Sequence, residues 1–350
     1  MSRAAPQPKR DVRLRAGFSL IELMVSSVVL MMLIYIVVTL TQTGTQAQRY
    51  SQRLTRVTEI AQDLSDEIRR EVMSSVRLFQ NDTEGNTYVG LLDLSASAPG
   101  ITYRLPAIEE SGIFRQEVGS ETKSGNALLF ARHAWTTVFT PTASTRTYRI
   151  DVYRMTHYYP SPEDGGPKSG DYGGLNLVKW VSEPLADGDQ IDKISDVGDR
   201  TSVLQHLKQR TADDDGQVHP AVEVVWLRNG DPAATGTLRH IQSTGTLFDD
   251  PQAPRTSPWQ LLRSPKFSSD SLLYLRHHSL ASVFAPPGWG VGSFSQVSTT
   301  GDGFPHGFEI QMIGPAAARQ VLLRLVVTST NRDGHPARST IQTIVDAREI

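Results

Sequence analysis

The sequence predicts an α+β chain: a long N-terminal spine helix, membrane-spanning in its first half and amphipathic in its second, packed on a β-rich globular head. Three observations predict it. Residues 18–40 form an apolar run with a single charge, Glu22. No proline interrupts residues 18–98, and apolar residues recur there at steps of three and four. From about residue 81 the pattern changes to short alternating segments separated by Gly- and Pro-marked loops.

The first element is a basic leader, residues 1–17. It holds Arg3, Lys9, Arg10, Arg13 and Arg15 against Asp11, a balance of +4 that leaves −6 for the rest of a chain whose net charge is −2. That acidic remainder argues against a nucleic-acid partner, which selects for a basic face. The chain has no cysteine, which excludes disulfides, thiolate nucleophiles and cysteine zinc sites.

The 23 residues that follow the leader reach about 35 Å as a helix, enough for a hydrocarbon core of about 30 Å. Positive charge before the run and neutral "TQTGTQAQ" after it place residues 1–17 in the cytoplasm and the head outside it. The run is too long for an ordinary signal peptide, and no small-x-small cleavage site follows it. A plain signal anchor is the alternative. Two residues argue against that alternative. Gly17 sits at the cytoplasmic edge, where a protease needs a small residue. Glu22 costs about 2.5–3.5 kcal/mol in mid-bilayer and less near an interface, so it calls for a partner. Cleavage after Gly17 would create one: the new Phe18 ammonium, about one helical turn away, on the same copy or on a neighbour.

"GFSLIE" behind a short basic leader resembles the class III signal of type IV pilins and type II secretion pseudopilins. The resemblance implies that a prepilin peptidase cuts after Gly17 and N-methylates Phe18, and that Glu22 docks subunits. Two looser patches, "ITYRL" and "LVKWVSEPLADGDQI", resemble the PilW group of minor pilins. The size of the head also favours a rare subunit over a shaft subunit. What the resemblance implies is therefore a pilin-like minor subunit of bacterial inner-membrane origin that acts in initiation or at the tip of a pilus. Its partners would be the peptidase, other minor pilins, the major pilin and the inner-membrane assembly platform. A J-type pseudopilin shares the signal and spine; a membrane-anchored extracytoplasmic binding protein is the alternative from another class.

Beyond the span, Leu54, Val57, Ala61, Leu64, Ile68, Val72 and Val76 form one apolar stripe, which extends the predicted spine over residues 18–80 with its last turn near Phe79. Asp66/Arg70 is an attractive i,i+4 pair and Glu67/Glu71 a repulsive one. Gly44 is the weak point, and with no proline in the membrane half little kink is expected.

The head, residues 81–350, reads as strands at 101–105, 127–132, 147–155, 175–181, 221–228, 308–313, 321–330 and 339–345. Short helices are expected at 201–210 and 270–280, loops at 158–174, 249–258 and 285–307, and elaborations large enough for a second subdomain. Enzyme motifs are missing: there is no H-E-x-x-H, G-x-S-x-G or P-loop, and the glycines of "GWGVGSF" are wrongly spaced for a dinucleotide. No catalytic residue or cofactor is expected. Calcium is the one open ligand, through Asp213 and Asp215 of "TADDDGQ", although Thr211 and Val222 stand where an EF-type loop needs carboxylates.

Overall fold

The computed structural model describes residues 19–91, 104–114, 123–162, 175–209, 211–212, 217–228, 237–248, 279–280, 307–329 and 337–349. The chain divides into two compact units, Met1–Gln52 and Arg53–Ile350. The first consists, over its described residues, of helix alone.

Helix α1 spans Leu20–Met73 without interruption, through Gly44 as well as through the apolar run. Its outer part belongs to the second unit. There the predicted stripe is the buried face: Val57, Ala61, Leu64, Ile68 and Val72 are all within 1% of complete burial. The helix stops before the predicted Phe79. Ser74 turns back onto Glu71, its N–H and its hydroxyl both donating to the Glu71 carbonyl at 3.1 and 2.8 Å. Residues Ser75–Leu78 then form strand β1. Val76 continues the three-to-four spacing, but Ser75–Leu78 pairs antiparallel with Phe130, Ala131 and Arg132 and forms a strand instead.

Helix α2 (Thr83–Leu91) follows, where no helix was expected. Asp82 caps it by accepting from the Gly85 N–H at 2.7 Å. A Cβ on Gly85 would stand 2.0 Å from the Gln80 carbonyl oxygen, so the close approach that starts this helix requires glycine. The chain continues through β2 (Ile108–Glu109), β3 (Leu128–Phe139), β4 (Tyr148–Pro162), β5 (Leu175–Val181), β6 (Leu185–Asp187), α3 (Gly188–Asp192), α4 (Val197–Leu207), β7 (Thr211–Ala212), β8 (Val218–His219), β9 (Val224–Trp226), β10 (Leu238–Ile241), β11 (Leu247–Phe248), β12 (Ser279–Leu280), β13 (Phe308–Ile313), a 3₁₀ turn (Ala316–Ala318), β14 (Arg319–Ser329) and β15 (Ala337–Ala347).

Several expectations are corrected. Arg104 and Leu105 are not strand; Leu105 instead fills the core. Tyr158–Pro162 belongs to β4 rather than to a loop, because β5 pairs with it as far as Pro162↔Leu175. The strand expected at 221–228 is shortened to three residues. The helix expected at 270–280 ends in strand residues Ser279–Leu280; residues 270–278 lie outside the described ones.

Among the described residues the head is built on a thirteen-stranded sheet whose main path runs β11-β10-β9-β6-β4-β5-β12-β14-β13-β2, with β3 on the far side of β4 and β15 on the far side of β14. The region from β9 to β11 joins this sheet through the parallel β6–β9 pair. Alternation explains the packing. Leu128 and Phe130 face the α1 stripe together with Tyr158, Ile310, Leu323 and Leu325. Leu129 and Ala131 face the other way, onto Phe79, Tyr88, Trp180 and Trp226. A third cluster joins Ile150 and Val152 to Ile191, Val203, Leu204 and Leu207 of α3 and α4. Apolar runs such as "ALLFA" arise because both faces are covered.

Polar ties fix the outer part of α1 to the sheet. Lys179 of β5 places its Nζ 2.7 Å from Glu67 and 2.8 Å from Glu71. The hydroxyl of Tyr158 donates to Glu71 as well. The carboxylate pair that reads as repulsive along the helix is thus neutralised by a cation from the strand beneath it.

Candidate functional site: the apolar helix and its first carboxylate

In the first unit, every described residue from Ser19 to Leu40 is exposed, and the apolar side chains have no protein to pack on: Leu20 is 79% exposed, Met31 73% and Ile36 51%. This stretch, with a mean hydropathy of 2.6, is long and apolar enough to cross a membrane once. An all-round apolar helix with no intramolecular cover needs an apolar surrounding, either lipid or other helices.

Its first turn is organised by Ser19 and Glu22. The Ser19 hydroxyl accepts from the Glu22 N–H at 3.3 Å, and the Glu22 carboxylate accepts from the Ser19 N–H at 2.9 Å and from its hydroxyl at 3.1 Å. This reciprocal arrangement satisfies helix-end donors that have no intrahelical acceptor. It also puts a negative charge at the positive end of the helix dipole. Ser19 is the residue that charge-based reading passed over; the S-x-x-E spacing was the signal. Gly17 and Phe18 lie outside the described residues.

Five other hydroxyls of the helix are self-satisfied. Ser27 donates to the Met24 carbonyl at 2.8 Å, Thr39 to Tyr35 at 2.8 Å, and Thr41 to Val37 at 2.8 Å. Thr43 and Thr45 repeat the pattern onto Thr39 and Thr41. Each hydroxyl enters an apolar medium with its donor already used. Glu22 is the one charged side chain between Ser19 and Leu40.

In the head, Asp213 and Asp215 lie outside the described residues, as do His277 and His278. Among the described residues no group of three or more His, Asp or Glu is placed to hold a metal ion. A cavity of about 170 Å³ is lined by Arg77, Gln80, Glu84, Arg319 and Glu349, where Arg319 pairs with Glu349 at 2.9 Å and Arg77 pairs with Glu84. Glu349 also accepts from the Leu78 N–H at 2.6 Å, so these charges tie β1 to α2 and to the segment that follows β15. His157 is fully buried beside Tyr159, with neither ring nitrogen hydrogen-bonded, and burial pushes its pKa down to about 3. A neutral imidazole sealed from solvent has no route to a substrate proton.

Comparison with known proteins gives no identity: no family model, no curated protein and no solved structure matches the chain.

Proposed function

We propose that the chain is a minor type IV pilin, made as an inner-membrane precursor, cleaved after Gly17 and methylated at Phe18, that helps to initiate or tip a pilus. The observation that carries this reading is the helix from Leu20 to Leu40, wholly uncovered and headed by a single carboxylate at Glu22. Lipid satisfies its apolar surface before assembly, and equivalent helices of neighbouring subunits replace lipid afterwards. The chemistry is assembly, not bond making.

Ser19 and Glu22 give the reading a local mechanism. With its carboxylate held by the Ser19 N–H and hydroxyl, Glu22 is partly compensated while the precursor waits in the bilayer. Cleavage after Gly17 leaves the Ser19 N–H an ordinary amide, so this bonding persists. It adds the Phe18 ammonium of the same or a neighbouring copy as a second, fully charged partner. That pairing sets subunit register.

The test is a pilus count by electron microscopy in a strain deleted for this chain. Loss of pili, restored by the intact gene but by neither a Gly17 variant that resists cleavage nor Glu22→Ala, is expected. Normal pili with a secretion defect would move the chain to the pseudopilins. Full function of Glu22→Ala would leave an anchored binding protein that never polymerises.

A further inference from the structure

Among the described residues the head has one long unbulged edge, on its last strand, that is paired on one side only. Strand β15 pairs with β14 over its whole length, in eleven consecutive register pairs from Arg319↔Ala347 to Ser329↔Ala337 without a bulge. From Thr340 to Asp346 its backbone bonds only to β14 among the described residues. Elsewhere among the described residues β2 and β11 are two residues each, and the part of β3 that extends past β1 carries a bulge between His133 and Trp135. β15 is charged only near its ends, at Arg338 and Asp346. Residues 338–347 contain no proline and no lysine, and the α1-facing positions are Ser339, Ile341, Thr343, Val345 and Ala347, none of them charged.

The side chains along this edge specify what would fit. On the α1 side, Val345 and Ala347 are buried, yet Ile341 and Thr343 stay half-exposed, and Ile60 of the helix is likewise only partly covered by the core it packs on. An added strand with apolar residues on that side would finish the layer. On the other side, a polar row crosses three strands in register, Glu309↔Arg324↔Gln342. Arg324 binds Glu309 and donates to the Gln342 side-chain carbonyl at 3.3 Å. That leaves the Gln342 amide donors at the edge, asking for an acceptor such as Asp, Glu or Asn. In the next row Leu322 pairs with Ile344, which is 52% exposed and asks for an apolar neighbour.

We infer that the free edge of β15 receives a β-strand from a second, different polypeptide, whose residues alternate between apolar and polar and which sets an acceptor side chain against Gln342. Strand addition draws affinity from main-chain hydrogen bonds and selectivity from such alternate positions. A second copy of this chain is disfavoured by symmetry. Antiparallel pairing of two identical edges requires a twofold axis normal to the sheet, which reverses every direction lying in it. The outer part of α1 lies on that sheet, so two copies anchored in one bilayer, as proposed above, would have opposed helices.

The experiment places a benzophenone side chain singly at Thr340, Gln342 and Ile344, and at Val197 on α4 (66% exposed) as a control, in the full chain, irradiated in intact cells. The expected result is an adduct to one other protein from the three edge positions and none from Val197. Peptide mapping should put successive adducts two residues apart along one extended segment. Gln342→Lys with Ile344→Lys, at solvent-facing positions, should lower the Thr340 adduct by about tenfold while the purified chain melts as before. Adducts to a second copy, adducts scattered over several segments or spaced as on a helix, no edge adduct, or an adduct unaffected by the two lysines would overturn it. Those failures leave cleavage at Gly17 untouched, so they are separable from failure of the pilin reading.

Discussion

The two halves of α1 share a secondary structure and little else. From Leu20 to Leu40 the helix is apolar nearly all round and its side chains are exposed, so its apolar environment has to come from lipid or other helices. From Val57 to Val72 it is amphipathic, and one stripe is sealed against the sheet. The contrast teaches where each half keeps its stability. The inner half depends on the medium and on its own backbone hydrogen bonds. The outer half depends on tertiary packing, as most helices of globular proteins do. A substitution should therefore report on folding in one half and on membrane or assembly in the other.

The sharpest way to break that comparison is a matched pair of truncations. Leu64→Ala removes a side chain that is 0% exposed and should destabilise the head by about 2–5 kcal/mol. Leu30→Ala, at a position 58% exposed, should leave head unfolding unchanged. Urea denaturation of the detergent-solubilised chain, followed by fluorescence of the buried Trp180 and Trp226, measures both. Equal effects would mean that the inner half is packed on something within the chain.

The ionic tie comes next. Lys179→Met leaves Glu67 and Glu71 one turn apart, with Arg132, 3.8 Å from Glu71, as the remaining neighbouring cation. Side-chain exposures of 20%, 24% and 13% screen the three groups, so a loss of about 1–3 kcal/mol is expected. Adding Glu71→Gln to that variant should recover part of the loss, because it removes the repulsion. No recovery would show that packing of the lysine stem, rather than charge, holds the helix down.

How far the sequence could be read follows the same contrast. The α1 stripe was legible because burial on one face imposes a 3.6-residue period, and β5 and β13 were found within their observed bounds because both are unbroken apolar-rich runs. Helix α2 was not legible. "TEGNTYVGL" holds two glycines and β-branched residues, and its formation rests on the Asp82 cap and on Tyr88 burying against Trp226, whose indole N–H donates to the Tyr88 hydroxyl at 2.9 Å. Contacts 138 residues apart leave no local signature. At the candidate site, Glu22 stood out as a charge in an apolar run, whereas its hydrogen-bonding partner Ser19 looked like one hydroxyl among several.

A pH experiment separates the head from the helix. His157 has a folded-state pKa near 3 against about 6.5 unfolded, because burial penalises its charged form. The unfolded chain therefore takes up the proton first. The stability tied to neutral His157 is fully present above about pH 6.5 and is lost as pH falls toward 3, at up to about 1.4 kcal/mol per pH unit. His157→Phe should flatten that dependence between pH 6.5 and 5 by about 2 kcal/mol in denaturant titrations. An unchanged slope would show that the imidazole reaches water in the folded head.

The smallest effect lies at Gly44, between the two halves. A Cβ there meets nothing within 4 Å, and α1 runs through the position as regular helix. Gly44→Ala should then favour the helix by about 0.5–1 kcal/mol, chiefly by restricting the unfolded backbone. Because the outer stripe begins at Val57, this gain should not reach the head, whose urea midpoint should stay put. Slower amide exchange over residues 40–50 with an unchanged head midpoint is the expected pair of results. If the head midpoint rose as well, the two halves would be folding as one cooperative unit, and the division of labour along α1 would have to be abandoned.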